Sequence, residues 1–197
     1  MLFITSMMKI DTNYSPNFRA KFIKNTTISK QIENTKSYKD EIVSCIQIDP
    51  QNKFDIVALK NIAKYWAGAH FVTNIYHSAC AMRDDSKYYK YNQIFAVTKQ
   101  KDNFENLNSD SILGLVHVSP VDENSLFIEH IETDPEIISK TNREYKGIGT
   151  AILNYLKTIT NKITCFPSSS KTVKKFYFKN DFVEYPPHSN MFIWYKV

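Results

Sequence analysis

Residues 144–153 read Glu-Tyr-Lys-Gly-Ile-Gly-Thr-Ala-Ile-Leu, and they hold two of the four glycines of the chain, two positions apart. Apolar residues at helical spacing follow the pair and predict a helix from Ile148 to about Thr160. Glycine lets the main chain approach a ligand closely, and a helix start presents unpaired N–H groups at the positive end of the helix dipole. Lys146 adds a positive charge, Thr150 adds a hydroxyl, and the first helical turn has no acidic residue. The stretch therefore predicts a binding site for a pyrophosphate.

A Gly-x-Gly pair is compatible with other structures. The simplest alternative is a tight turn into a helix with no ligand at all. A P-loop is excluded because the pattern Gly-x-x-x-x-Gly-Lys-Ser/Thr is absent. A dinucleotide-binding turn would follow the first strand of a parallel sheet, whereas this pair follows three strands with the pattern of an antiparallel meander.

The patterns on both sides of this stretch predict a mixed α+β fold. The order is strand, two helices, three strands, helix, strand, helix and two strands. Asp55 is the expected N-cap of the first helix, residues 120–125 a turn, and residues 134–146 a polar loop. Strands are predicted at 41–48, 93–98, 112–118, 126–133, 162–166, 182–184 and 191–195, and helices at 55–65, 70–82, 148–160 and, after a cap at 168–170, up to about 179.

Length and composition indicate one globular domain. The chain has 197 residues, of which 43% are hydrophobic, and a formal net charge of +5. Residues 1–40 are polar and lack a clear period, so we expect an N-terminal extension, partly ordered at best, before a domain at 41–197. The mild positive charge suits an anionic ligand, but no run of five basic residues indicates a nucleic-acid-binding tail.

Cysteine and histidine usage indicates neither a disulfide framework nor a metal site. Cys45, Cys80 and Cys165 are far apart and odd in number, and the five histidines lack ligand spacing. A reducing compartment such as the cytoplasm fits this usage. The opening residues make a poor signal peptide, and no apolar run is long enough to predict a membrane span.

The segment 144–153 resembles motif A of the GNAT superfamily of acetyl-CoA-dependent N-acetyltransferases, whose pattern is Gln/Arg-x-x-Gly-x-Gly/Ala. Residues 131–135 resemble the end of the fourth strand of that family, and residues 173–182 are similar to its Ala-x-x-Phe-Tyr-x-Lys-x-Gly-Phe element. The order of elements also matches, and residues 93–114 are similar to a bacterial subgroup of the family. The resemblance covers about 41–197 and implies a twisted, mostly antiparallel sheet of about six to seven strands with about four helices.

The resemblance also implies a reaction and a set of residues. Acetyl-CoA would be the co-substrate, and its acetyl group would pass directly to an amine. Tyr177 would be the general acid and Glu129 the general base, with Glu132 as the rival base and His130 as a weaker candidate. In a regular strand Glu132 faces away from Glu129, and a β-bulge would exchange them. The residues implied to bind the co-substrate are Ile131, Glu132, Thr133, Arg143, Lys146, Gly147, Ile148, Gly149, Thr150, Ser170 and Tyr177.

The two candidate catalytic residues and Cys165 also have structural interpretations that need no function. Tyr177 could be one more core aromatic in a chain with 12 tyrosines, and Glu129 an exposed strand residue. Cys165, on a predicted buried strand, suggests an inert core cysteine rather than a covalent thiol route.

The sequence departs from the family pattern in four places. Glu144 occupies the Gln/Arg position, and Arg143 comes one residue early. The negative charge of Glu144 would repel phosphate unless this side chain points away. Ser170 stands where many members have asparagine, and Asp181 replaces a glycine. The loop between Pro135 and Gly147 is about six residues longer than in the commonest members.

These departures keep other functions open. One alternative is a GNAT-fold module that binds acyl-CoA without turnover. Another is a toxin-like acetyltransferase that acts on aminoacyl-tRNA, although no RNA-binding motif is present and nucleic acid is not favoured as a partner. The acceptor amine stays open, a homodimer is compatible with the resemblance, and no membrane partner is expected.

Overall fold

The computed structural model describes residues 20–33, 35–66, 69–85, 91–139 and 143–197. These residues form a single mixed sheet with helices on both faces. The strands are β1 Lys21–Gln31, β2 Tyr38–Gln47, β3 Gln93–Thr98, β4 Ile112–Asp122, β5 Ser125–Thr133, β6 Tyr145–Lys146, β7 Lys162–Cys165, β8 Val183–Glu184 and β9 Phe192–Tyr195. The helices are α1 Lys53–Tyr65, α2 His70–Asp84, α3 Pro135–Ser139, α4 Ile148–Ile159 and α5 Lys171–Lys179, and a 3₁₀ turn covers Ser109–Ser111.

The sheet order is β6-β1-β2-β3-β4-β5-β7-β9-β8. Every strand pair is antiparallel except β5 with β7. The predicted α+β class and the meander of β3, β4 and β5 are confirmed. The predicted order of helices and strands from residue 41 onward agrees with the structure except that it lacks α3 and β6. The strand count is nine in the described part of the chain, above the six to seven expected. Across the described ranges, no helix is both long and apolar enough to cross a bilayer.

Two hydrophobic cores lie on opposite faces of the sheet. The first core packs the apolar stripe of α4 against β3, β4 and β5, and it includes Ile152, Leu156 and Val116. The second packs α1 and α2 against the other face, with Leu59, Ile75 and Leu115 fully buried. Alternation along β4 explains the division, because Leu115 and Val116 point to opposite sides. The two faces are called the α4 face and the α2 face below.

Residues 1–40 are predicted to be partly ordered at best, but residues 21–31 and 38–40 lie in strands. Lys21–Gln31 forms β1, which pairs with β2 along its whole length. Only Ile28 of this strand is buried, because β1 lies near the edge of the sheet and needs few apolar side chains. The sequence therefore has too weak an apolar pattern at residues 21–31 to predict β1. The expectation for residues 1–19 falls outside the described residues.

Three local predictions also need correction. Asn52, rather than Asp55, caps α1, and its side chain accepts a hydrogen bond from the Phe54 amide. Asp55 lies inside the first turn and is fully buried. The loop predicted at 134–146 contains both α3 and the short strand β6. The turn predicted at 120–125 is shorter in the structure, where only residues 123–124 separate β4 from β5.

Candidate functional site

The parallel pair of β5 and β7 opens into a fork. The two strands pair only from Ser125–Lys162 to Ile128–Cys165, and β7 then ends. Beyond Ile128, β5 continues to Thr133 with β4 alone as its strand partner among the described residues. One edge of β5 therefore faces the fork rather than another strand, and Ile131 and Thr133 lie along it.

A β-bulge at the fork determines where Glu129 points. In the register of β4 and β5, His117 pairs with His130 and Val118 pairs with Ile128, so Glu129 is the extra residue. Its carboxylate accepts a hydrogen bond of 2.5 Å from Ser119 Oγ, on the α2 face. Glu132 pairs with Leu115 of the α2-face core. The bulge therefore brings both candidate bases, Glu129 and Glu132, to one face.

Two histidines lie beside Glu129 on this face. His117 is 2% exposed, and its Nε2 lies 2.9 Å from Asn92 Oδ1, to which the ring donates in the Nε2–H tautomer. The ring centroids of His117 and His130 are 6.0 Å apart, and neither Nδ1 atom has a hydrogen-bond partner among the described residues. Burial lowers the pKa of His117 to about 4. Burial also lowers the pKa of His130, so both rings are neutral at pH 7.

Tyr177 reaches the fork from the opposite, α4 face. Its ring is 3% exposed and packs on Phe182 and Phe192, with centroids 5.2 and 5.7 Å away. Its hydroxyl contacts Cys165, the last residue of β7. Burial raises the pKa of the Tyr177 hydroxyl above its ordinary value, so the phenol stays protonated. Burial likewise raises the pKa of the Cys165 thiol to about 12, as expected for an unreactive core cysteine.

The start of α4 has the features of an anion-binding site. Gly147 is the N-cap with φ +86° and ψ 4°, a left-handed conformation that favours glycine. No side chain caps this helix start, and its first turn has no acidic residue. The Ala151 amide donates a hydrogen bond to the Gly147 carbonyl, which begins the helical bonding of α4. The amides of Ile148, Gly149 and Thr150 are therefore left for a ligand or water.

Close contacts join the helix start to the fork. A Cβ on Gly114, which pairs with Thr133 at the end of β5, would lie 2.7 Å from Ile148 Cγ2. Only glycine at 114 lets α4 approach this closely. On the other side, a Cβ on Gly149 would lie 3.0 Å from the ring of Phe176, the neighbour of Tyr177. The end of β5, the start of α4 and the Tyr177 region therefore lie next to one another.

The segment before Gly147 is held by the first two strands. The Gln31 amide donates to the Glu144 carbonyl, and the Tyr38 hydroxyl donates to the Arg143 carbonyl at 2.8 Å. Lys146 pairs with Ser29 in the sheet, and its Nζ lies 3.5 Å from the centre of the Tyr38 ring. The side chains of Arg143 and Glu144 are exposed, and the Glu144 carboxylate bonds the Tyr145 hydroxyl.

Two further sequence departures have a clear place in the structure. Ser170 is the exposed N-cap residue of α5, and its side chain makes no capping bond. Asp181, which stands where the family has glycine, has φ +63°. The position therefore keeps the left-handed backbone for which glycine is usual, at some cost in strain.

Sequence reasoning missed Tyr38, Ser119 and His117. Tyr38 was placed in the extension, and no local motif marks the other two, because only the bulge brings them to Glu129. No group of three or more histidine, cysteine or acidic residues that could hold a metal occurs within the described ranges.

Comparisons with known proteins give similar folds only. No family model matches the chain, and no curated protein matches it. Among solved structures, the N-acetyltransferase PseH of Campylobacter jejuni in complex with acetyl coenzyme A is 13% identical, with a TM-score of 0.48 over 77% of this chain and 95% of that one. A GNAT-family acetyltransferase from Bacillus cereus is 18% identical, with a TM-score of 0.45 over 74% and 94%. The PaiA N-acetyltransferase of Thermoplasma acidophilum with coenzyme A is 12% identical, with a TM-score of 0.42 over 74% and 90%. At these values the likeness assigns no activity or substrate to this chain.

Proposed function

We propose that the protein is a GNAT-type N-acetyltransferase that transfers an acetyl group from acetyl-CoA to an amine. The observation that carries the proposal is the fork itself. A carboxylate, Glu129, borders it on the α2 face, and a buried phenol, Tyr177, borders it on the α4 face. The resemblance of residues 144–153 and 173–182 to the family motifs supports the same activity. The free cysteines are compatible with a cytoplasmic location.

The chain has suitable groups for two parts of acetyl-CoA, the pyrophosphate and the pantetheine arm. The amides of Ile148, Gly149 and Thr150 would bind the pyrophosphate, and Gly147 provides the turn before them. Arg143 and Lys146, which precede Gly147, would add positive charge, and Ser170, the N-cap residue of α5, would add a hydroxyl. The backbone of residues 131–133 would bond the pantetheine arm as an added strand along the open edge of β5. This path ends at the fork, where Glu129 and Tyr177 lie.

The proposed reaction needs one base and one acid. Glu129 takes a proton from the acceptor ammonium, and the free amine nitrogen attacks the thioester carbonyl. The carbon–sulfur bond breaks as the amide forms, and the Tyr177 hydroxyl donates a proton to the departing sulfur. The second proton leaving the nitrogen returns to the Tyr177 oxygen, and Glu129 releases the first proton to water. The products are the N-acetylated acceptor and CoA with a free thiol.

Burial of the Tyr177 hydroxyl suits this role despite the raised pKa. The same surroundings raise the pKa of the neighbouring Cys165 thiol to about 12. A thiolate formed at this place would be a stronger base than in water for the same reason. The raised pKa of a thiol at this place therefore offsets part of the raised pKa of the phenol.

A thermal-shift titration and a turnover assay test the proposal. Acetyl-CoA at one hundred times its dissociation constant should stabilise the protein by about 2.7 kcal/mol. Incubation with amines should then release CoA thiol. No shift at millimolar acetyl-CoA would contradict the proposal. A shift without thiol release across a broad amine panel would favour the non-catalytic module, and acetylation of aminoacyl-tRNA, with RNA affinity that falls steeply with salt, would favour the toxin-like enzyme.

A further inference from the structure

A continuous row of six side chains lies on the α2 face at the fork, and we call it the aromatic strip. Phe71 of α2 stacks on His130 with centroids 5.2 Å apart and ring planes 19° apart. Glu129 follows beside His130 and is bonded to Ser119. Ser119 pairs with Phe127 across β4 and β5, and Phe127 contacts Phe166 with centroids 5.9 Å apart. The strip consists of Phe71, His130, Glu129, Ser119, Phe127 and Phe166.

The aromatic strip is open at both ends. Phe71 is 45% exposed and Phe166 is 62% exposed, and Glu129 between them is also exposed. Large aromatic side chains on both sides of a carboxylate leave apolar area in contact with water, which favours a ligand that covers it. The bulge creates this arrangement, because a regular strand would turn Glu129 and His130 to opposite faces.

The charges of the aromatic strip favour a cation. Burial lowers the pKa of His117 to about 4 and also lowers that of His130, so neither imidazole repels an ammonium group at pH 7. The faces of aromatic rings attract cations. A hydrogen bond between the Glu129 carboxylate and an ammonium group would add to this attraction. Glu132 shares the face but lies two residues beyond His130, opposite Leu115, and is not part of the strip. The strip therefore offers Glu129 as its carboxylate for a single ammonium group.

We propose that the acceptor is a monoamine whose amino group is carried by an aromatic or similarly flat apolar body. This inference rests on the proposed function, because it assigns the aromatic strip to the acceptor. The ammonium group lies against Glu129, which places the nitrogen at the fork. The apolar body packs on Phe71 and His130 at one end or on Phe127 and Phe166 at the other. A polyamine or an amino sugar matches this surface poorly, since the phenyl rings give no hydrogen bonds to further polar groups and His130 Nδ1 is buried.

Direct binding measurements test this inference without requiring turnover. Saturation-transfer NMR or calorimetry on the full chain, with and without CoA, compares 2-phenylethylammonium with ethylammonium, which has the same charge and no ring. We expect 2-phenylethylammonium to bind at least about tenfold more tightly. Phe71→Ala or Phe166→Ala should reduce this difference about three- to tenfold, and Glu129→Gln should weaken both amines.

Phe22→Ala is the matched control, because Phe22 is 44% exposed but stacks on Phe104 away from the fork. This variant should bind both amines like the wild type. Equal affinities for the two amines, or tighter binding of spermidine or glucosamine, would overturn the inference while leaving the acetyltransferase proposal intact. Failure of acetyl-CoA to bind would instead remove the acetyltransferase proposal, and the amine affinities would still decide what the strip prefers.

Discussion

Tyr177 and Tyr155 are two buried tyrosines of the same core with different surroundings. They are 3% and 7% exposed, and burial raises the pKa of both hydroxyls, that of Tyr155 to about 12. Only the Tyr177 hydroxyl lies at the fork, beside Cys165. We expect Tyr177→Phe to lower kcat about a hundredfold, the scale of a lost general acid, and to leave acetyl-CoA affinity unchanged. Thiol-release kinetics would measure this, with Tyr155→Phe as the control.

Both phenylalanine variants keep the ring packing, so their unfolding free energies should stay close to that of the wild type. If Tyr177→Phe and Tyr155→Phe have the same kcat, Tyr177 is a core residue and not the acid.

Gly147 gives a second test at the scale of a single residue. Its φ of +86° strains any residue with a Cβ, and nothing lies within 4 Å of the place where that Cβ would be. The cost of Gly147→Ala is therefore that of the backbone alone, about 1 kcal/mol. Urea unfolding should show this loss, and acetyl-CoA affinity should fall because the next three amides move. Gly147→Asn should recover most of both, since asparagine tolerates this conformation. An alanine variant as stable as the wild type would show that the left-handed turn is not required.

At the scale of elements, the first two strands support the site from a distance. β1 and β2 hold the segment 143–146 through backbone pairing and the Tyr38 hydroxyl, and this segment leads directly into Gly147. A long loop before α4 would otherwise leave the helix start free to move. The pairing with β1 and the Tyr38 hydrogen bond thus hold in place the segment that leads into the turn at Gly147.

The Tyr38 hydroxyl makes this support testable. Tyr38→Phe removes one neutral hydrogen bond, of 2.8 Å to the Arg143 carbonyl, and keeps the ring under Lys146. Such a bond contributes about 1 kcal/mol, so we expect acetyl-CoA affinity to fall about three- to tenfold. The Michaelis constant for the amine should not change. Calorimetry would measure the affinity, with Tyr65→Phe on α1 as the control. Unchanged acetyl-CoA binding would mean that β1 and β2 do not position the turn.

The fold was predictable from residue 41 onward because apolar periodicity is strong wherever an element is buried. The stripe of α4 and the strands β3 to β5 are examples, and their predicted bounds agree with the structure to within a few residues. The sequence did not predict β1, because only one of its residues is buried. It did not predict β6 either, because a strand of two residues is too short to show an alternation of apolar and polar residues. At the site, motifs indicated Gly147 and Tyr177. The face of Glu129 was left open, since it depends on a bulge, and a bulge changes the register without changing the local sequence pattern.

At the scale of the whole molecule, two buried titratable groups on different elements change the stability of the fold in opposite directions as the pH rises. Asp55 on α1 accepts hydrogen bonds from the Asp49 amide and from Asn52 Nδ2. Burial nevertheless raises its pKa from 3.8 to about 7. His117 on β4 behaves in the opposite sense, since burial lowers its pKa from 6.5 to about 4. Both groups therefore titrate differently in the folded and unfolded chains over nearly the same pH range.

The signs of the two contributions are opposite. Between pH 4 and 7 the folded chain holds a proton on Asp55 that the unfolded chain has lost, so this group makes stability fall as pH rises. Between pH 4 and 6.5 the unfolded chain holds a proton on His117 that the folded chain lacks, so this group makes stability rise with pH. Each slope is at most about 1.4 kcal/mol per pH unit. In the wild type the two largely cancel.

Single substitutions should expose each slope. The stability of Asp55→Asn relative to the wild type should increase from pH 4 to pH 7 and stay level above it, because the variant no longer has a group that favours the acidic folded state. His117→Gln should be destabilised most above pH 6.5, and this loss should shrink as the pH falls toward 4. Urea unfolding at half-unit steps of pH measures both, with the exposed Asp110→Asn as the control. Parallel pH profiles for the wild type and Asp55→Asn would show that the two hydrogen bonds outweigh burial and keep Asp55 ionised in the folded protein.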